Sequence, residues 1–327
     1  MNWSVIVPTN RPAKFLDFLK AWQPLFVYHE VTLVVMEDAP ECNGEISHAL
    51  QNAGLRKSAH LCWKDIPSDS LIPRKTDMVR SFAFRWAFEN TMCSYMLTLD
   101  DDVTPEFNDV FEEYEKVFVE GAPLSEFLDV GALTSSGLQM RGFPYKDRVK
   151  RPVAVQYGGW HGVLDYDAAT QLAVPKREQA FHGIVMPVPK GAAATCCIMN
   201  CAWKVEYTPI MWQLPMFDGR YNRVGDIWSG LFIKKTLDSI DAVMVINGAA
   251  SVVHDRASNP YESLKKEAPS VYMNDHLWEA LTSPQGLSML EAYRTVTSDA
   301  YAYFLKFDEA YANHFLAARN QWTHDWV

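Results

Sequence analysis

The chain contains no apolar run of membrane-spanning length, no low-complexity tract and no repeat of fixed period. These absences argue against a membrane span, a disordered chain and a solenoid. Cysteine is sparse. Six occur in 327 residues, at 42, 62, 93, 196, 197 and 201, and none has paired metal spacing. The cluster Cys196-Cys197 with Cys201 lacks the second pair that a zinc knuckle needs. Buried, reduced thiols are expected, which fits a cytoplasmic location. Positive charge is also short, with 30 Lys and Arg against 40 Asp and Glu, a net charge of −10 and a pI of about 5.4. A broad electrostatic grip on DNA or an anionic membrane is therefore disfavoured. The opening residues Met1-Asn2-Trp3-Ser4-Val5-Ile6-Val7-Pro8 carry no charged segment with a long apolar core behind it, and run straight into a strand pattern.

Against these absences stand 48% hydrophobic and 21% charged residues, the composition of a globular protein. Aromatics are abundant, with 11 Trp, 14 Tyr and 17 Phe. They fill cores but also stack on bases and sugar faces, which favours a carbohydrate or nucleotide ligand. An acidic protein that binds a diphosphate needs a cation to bridge the two charges.

Hydrophobic spacing predicts strands at 3–8, 31–36, 59–63 and 95–99, with helices at 13–22, 45–53 and 77–91 between them. Alternating strands and helices imply βαβ units and a mostly parallel sheet flanked by helices. Further strands are expected near 152–156, 184–188, 195–199 and 242–246, and helices at 226–238 and 260–267. From about 270 the sequence is helical and aromatic. We read residues 1–268 as one nucleotide-sugar domain and 269–327 as a helical extension packed on it.

In open α/β sheets ligands bind beyond the carboxyl ends of the strands. Three loops fall there: Pro8–Arg11, Glu37–Pro40 and Asp100–Asp102. Three adjacent carboxylates raise each other's pKa, and a hard divalent cation, Mn²⁺ or Mg²⁺, would remove that cost. Asp102 is the expected metal ligand. Asp100 would touch a ribose or the metal through water, and Asp101 would support the same turn. The alternative is a solvated turn leading into Thr104-Pro105. His254, after another apolar stretch, could complete the metal shell. Arg80, Arg141, Arg148 and Arg223 are candidate phosphate contacts, because guanidinium matches phosphate oxygens in pairs.

At these residues the chain resembles the reversibly glycosylated polypeptide family, which includes the UDP-arabinopyranose mutases of plants. The similar stretches are Val-Pro-Thr-Asn-Arg at 7–11, Thr-Leu-Asp-Asp-Asp at 98–102, Arg-Gly-Phe-Pro-Tyr at 141–145 and Asp-Tyr-Asp-Ala-Ala-Thr-Gln-Leu at 165–172. Pro-Lys-Gly at 189–191, Met-Asn-Cys-Ala at 199–202 and the run from His254 to Glu267 complete the set. The resemblance implies a glycosyltransferase-A fold, a UDP-sugar, a pentose in particular, and a cation at the aspartate triplet. It implies nucleotide contacts from Pro8, Thr9, Arg11 and Lys190, and a sugar carried on Arg141 with Arg148 in support. A guanidinium is protonated at neutral pH and a poor nucleophile, so a carboxylate such as Asp165, Asp167 or Asp226 would have to assist.

Two departures surround the ligand. Met36-Glu37-Asp38-Ala39-Pro40 stands where the family has Gln-Asp-Gly-Asp-Pro, displacing the carboxylates that would touch uridine. Gly225-Asp226-Ile227-Trp228 stands where the family has paired aspartates. The leading expectation is a UDP-pentose mutase that glycosylates its own arginine. A second is a transferase using Asp226 as the base for a glycan, glycolipid, protein or modified nucleic-acid acceptor, the last sustained only by Arg141, Lys146, Arg148, Lys150 and Arg151. A third is a non-catalytic subunit of a homo- or hetero-oligomer.

Overall fold

The computed structural model describes the chain except Met1, Phe107, 135–137, Leu164, 175–177, 180–182, Met216, 218–219, Asn222, Ala257, Asp325 and Val327, and the side chains of Asp77, Glu178 and Gln179. Every candidate site residue is among those described. Ala257, within the His254–Glu267 stretch, is not.

Ten strands form one sheet: β1 (Trp3–Thr9), β2 (Thr32–Glu37), β3 (Lys57–Leu61), β4 (Tyr95–Leu99), β5 (Val103–Pro105), β6 (Val153–Val163), β7 (Glu178–Gln179), β8 (Val185–Pro187), β9 (Asn200–Lys204) and β10 (Val243–His254). The helices are α1 (Pro12–Tyr28), α2 (Gly44–Asn52), α3 (Arg80–Asn90), α4 (Val110–Glu120), α5 (Ala168–Ala173), α6 (Gly225–Ser239), α7 (Pro260–Glu267), α8 (Val271–Ala280), α9 (Met289–Phe304) and α10 (Glu309–His324). The sheet runs β8-β10-β6-β9-β4-β1-β2-β3, with β5 on β10 and β7 on β6. Pairing is parallel from β3 through β2 and β1 to β4, and again between β6 and β10. Strand β9 lies antiparallel between β4 and β6. This is the expected α/β, glycosyltransferase-A-like sheet, mostly parallel and covered by helices.

Alternation along β1 shows how the sequence builds two cores. Trp3, Val5 and Val7 pack with α1, α2 and α4, while Ile6 packs on the other face with α3, α6 and the carboxyl-terminal helices. Helix α1 runs past its expected end because Phe26 continues the buried stripe of Phe15, Phe18, Leu19 and Trp22 through Pro24. Helices α8 to α10 have no core of their own. Met273, Leu277, Tyr293, Tyr311 and Phe315 share one cluster with Trp228 and Phe232 of α6. No helix among the described residues is long and apolar enough to cross a membrane.

Several elements differ from expectation, two of them for a clear physical reason. The spacing assigns nothing to 110–120, yet α4 forms there, capped by Asp109, which accepts from the N–H groups of Phe111 and Glu112. The strand expected at 195–199 lies instead at Asn200–Lys204, in register with Leu99–Tyr95. The reason is a helix contact. Gly230 of α6 brings its backbone so close to Thr195 and Cys196 that a side chain there would collide. That contact holds 195–199 against α6 and leaves it as a wall of the cavity described next.

Candidate active site

A cavity of about 770 Å³ opens over the carboxyl ends of β1, β2 and β4, within the size range of small-molecule sites. Strand register assembles it. Val103 of β5 pairs with His254 of β10, which puts Asp102 beside His254 although 152 positions separate them. The parallel register of β1 and β4 brings Thr9 and Arg11 to the same turn. Thr9 Oγ1 donates to Asp101 Oδ2 at 2.6 Å, and Arg11 Nη2 donates to both Asp101 and, at 2.9 Å, Asp102.

The structure corrects one premise. Three adjacent carboxylates were expected to need a cation, but arginines already compensate them. Arg11 serves Asp101 and Asp102, buried Arg80 donates to Asp100 at 2.6 Å, and Arg256 reaches Asp102 Oδ2 at 3.3 Å. Burial alone would raise the Asp102 carboxyl. The hydrogen bond and charge of Arg11, with His254 and Arg256, instead hold it below the usual carboxylate range.

The residues present nevertheless fit a hard cation. His254 is buried, and its Nδ1 lies 2.9 Å from the carbonyl oxygen of Val163. A carbonyl can only accept, so Nδ1 carries a proton, and Nε2 is the ring nitrogen left to meet a ligand. Among the described residues Nε2 makes no hydrogen bond, nor does Asp102 Oδ1. Both belong to residues lining the cavity. Asp100, Asp102 and His254 do not form a closed three-ligand cluster, since among the described residues their ligand atoms do not all lie within 4.8 Å of one another. Mg²⁺ and Mn²⁺ sites that take their remaining oxygens from phosphates and water look like this.

The cavity is also lined by Asp165, Asp167, Arg223 and Asp226, together with Tyr157, Trp160 and Cys197. Asp226 lies in the first turn of α6 and is half-buried. Asp167 caps α5, its two oxygens accepting from the Thr170 N–H at 2.9 Å and hydroxyl at 2.6 Å. Burial opposes that charge, but the Thr170 bonds hold the carboxyl below its usual range. Asp167 thus serves as the cap of α5. Arg223 is engaged by Glu267 at 2.7 Å. Cys197 is no thiolate: burial, then Asp165, Asp226 and Asp100, push its thiol well above the ordinary value.

Four expected residues do not join the cavity. Glu37 is turned into its own loop, accepting from the Asn43 N–H at 2.6 Å and lying 2.9 Å from His60 Nε2. Lys190 pairs with Asp241 at 2.6 Å, just before β10 and so at the opposite end of that strand from His254. Arg148 lies over the Tyr145 ring at 4.0 Å and donates to the Phe143 carbonyl. Arg141 is exposed. Both arginines precede Val153, which pairs with Val243 at the far end of β10. Residues missed by sequence reasoning include Arg256 and the α8 residues Asn274 and Asp275, which line the cavity. Arg256 stood within the quoted His254–Glu267 run, two positions after the candidate ligand. Nothing in the sequence pointed to α8.

A carboxylate-rich cavity over parallel strand ends, with an aspartate turn beside a histidine, is the ligand-site arrangement of an open α/β protein. The chain belongs to the reversibly glycosylated polypeptide family, whose model matches residues 2–327. It is 30% identical over 289 residues to the probable UDP-arabinopyranose mutase 2 of Solanum tuberosum, covering 84% of this chain and 75% of that one. To UDP-arabinopyranose mutase 1 of Oryza sativa subsp. japonica it is 27% identical over 333 residues, covering 94% and 87%. Among solved structures, the mannosyltransferase PcManGT from Pyrobaculum calidifontis, in complex with GDP-Man and Mn²⁺, resembles it with a TM-score of 0.47 at 13% identity, covering 98% of this chain and 83% of that one. Similarity at that level distinguishes neither substrate nor reaction.

Proposed function

We propose that this protein is a divalent-cation-dependent enzyme acting on a UDP-sugar, interconverting the pyranose and furanose rings of a UDP-pentose. The observation that carries the reading is the β5–β10 register, which sets Asp102 next to the strand partner of His254 where both residues line one cavity, in a chain whose relatives are named UDP-arabinopyranose mutases. Asp102 and His254 would hold Mn²⁺ or Mg²⁺, which when bound stabilises charge developing on the departing diphosphate. Arg11, Arg80 and Arg256 supply positive charge beside that diphosphate. Tyr157 and Trp160 offer apolar faces to the sugar. Asp226 and Asp165, which line the same cavity, would stabilise the positive charge that the anomeric carbon gains as its bond to the phosphate oxygen breaks. One of them takes the proton from the sugar's O4 hydroxyl as O4 bonds the anomeric carbon, that proton passes to O5 as its bond to the same carbon breaks, and the diphosphate oxygen then re-forms its bond there.

The test is incubation with UDP-arabinopyranose and Mn²⁺, read by NMR for the furanose product. Asp102→Ala should abolish turnover, and undiminished activity without any divalent cation would defeat the reading.

Because Arg141 is exposed and outside its own cavity, we assign its glycosylation to a second copy acting in trans. Mixing a mass-tagged Asp102→Ala chain with wild type should label Arg141 on the inactive chain. Label confined to wild type would contradict this assignment.

A second reading, transfer to a separate acceptor, is favoured by the extension of the cavity to Ser270, Asn274 and Asp275, which leaves room beside a nucleotide. UDP-sugar alone separates the two: isomerised free UDP-sugar supports the mutase, and hydrolysis alone supports a missing acceptor.

A further inference from the structure

Cys42 and Cys62 are too far apart in sequence to suggest a metal pair, but β2 and β3 are parallel neighbours. Met36 pairs with Leu61 at their carboxyl ends, so the loops leaving them run side by side. The Sγ atoms of Cys42 and Cys62 and a carboxylate oxygen of Asp65 all lie within 4.8 Å of one another. Cys62 is buried, Cys42 half-buried and Asp65 exposed, which leaves an approach from solvent. Asp65 is held in place because its Oδ2 accepts the Cys62 N–H at 2.8 Å. His60 is not a fourth member, since Nδ1 lies on Ser47 Oγ at 2.8 Å and Nε2 on Glu37 at 2.9 Å.

The geometry points to a second metal site, in which Cys42, Cys62 and Asp65 bind a soft divalent cation of the zinc type, with water in the fourth position. Two sulfur ligands select zinc over magnesium or manganese, and bonds of about 2.3 Å to sulfur and about 2.1 Å to oxygen put tetrahedral ligands under about 4 Å apart. The cluster meets that spacing with little movement. Binding would release the two thiol protons to solvent.

The site would brace the wall of the cavity already described. Trp63, in the turn between two of the ligands, donates Nε1 to Asp38 Oδ1 at 2.7 Å, and its N–H donates to the Ala39 carbonyl at 3.0 Å. Asp38 lines the cavity. The inference is independent of which sugar the enzyme uses, or whether it turns over.

The test uses the full chain, purified under reductant, loaded with zinc chloride and dialysed against metal-free buffer. About one zinc per chain is expected by elemental analysis, undiminished in Asp102→Ala and reduced at least fivefold in Cys42→Ser. Cobalt in place of zinc should give thiolate charge-transfer absorption that Cys42→Ser removes. Half-buried Cys42 is the deciding position, because Cys62→Ser replaces a buried thiol and could fail to fold. Zinc at background in the reduced wild-type chain, or retained equally by Cys42→Ser, would overturn the proposal. So would a Cys42–Cys62 disulfide in unreduced protein whose reduced form takes up no zinc.

Discussion

Replacing Arg11 with Met tests the electrostatic design of the site. The guanidinium serves two carboxylates that are only 3% and 4% exposed, while Arg11 itself is 34% exposed. Breaking a fully buried ion pair costs about 3–5 kcal/mol, and an exposed pair contributes about 0.2–1 kcal/mol. Solvent reaches one partner, so screening lowers the cost to about 2 kcal/mol at pH 7, a few degrees in melting temperature for a chain of this size. Met keeps the apolar stem and removes the charge. The pH dependence has a definite sign. The folded Asp102 carboxyl is depressed, so its stabilising contribution is present above the unfolded value of about 3.9 and disappears as pH falls through the folded value. Wild type and Arg11→Met should differ most near neutrality and converge below about pH 4. Urea unfolding at both pH values measures this. A gap that stays constant between them, or one under about 0.5 kcal/mol at pH 7, would refute the reasoning.

Three further outcomes follow from other contacts. Asp167→Ala should cost about 1 kcal/mol of stability through loss of the α5 cap while leaving turnover within about threefold, and a hundredfold loss of turnover would make Asp167 catalytic after all. Asp238→Ala should cost about 3–5 kcal/mol by thermal or urea unfolding, because it strands Lys234, which is 1% exposed and bonded to Asp238 at 2.5 Å; the paired change Lys234→Met with Asp238→Leu should recover most of it. Gly158→Ala should cost about 3 kcal/mol, because a Cβ there collides with Tyr114 and Asn200, whose 2.8 Å hydrogen bond ties α4 to β9, while Asn200 Nδ2 donates to the Gly159 carbonyl of β6; a melting temperature within a degree of wild type would show that the strand can shift.

How much of this was legible in the sequence depends on the range of the interaction. The first four strands and their helices were readable because each is a local run of β-branched or helically spaced apolar residues ending in a turn signal. The aspartate triplet was readable for the same reason, as a charged break after an apolar strand. Its electrostatic partners were not. Arg11, Arg80 and Arg256 reach the triplet through register between strands and a helix distant in sequence, and an arginine there looks like any surface arginine. The cysteine cluster was hidden in the same way, since parallel pairing of β2 with β3 creates it and spacing does not.

The loss of a carboxylate at Gly225 illustrates the converse, where the structure explains a departure that the sequence only registers. A Cβ at position 225 would lie 3.0 Å from Met78 Sδ and 3.2 Å from the Leu214 carbonyl, and Met78 lines the cavity. The thioether therefore fills the space toward which a side chain at 225 would grow. Restoring an aspartate alone would press an ionised group against sulfur and a carbonyl oxygen, without the solvation that a carboxylate requires. Gly225→Asp should accordingly lose stability, by about 2 kcal/mol or more, and Met78→Ala in the same chain should recover part of it by opening that space. Stability changes that simply add in the double variant would mean that residues 78 and 225 do not share the volume, and that the missing carboxylate has some other cause.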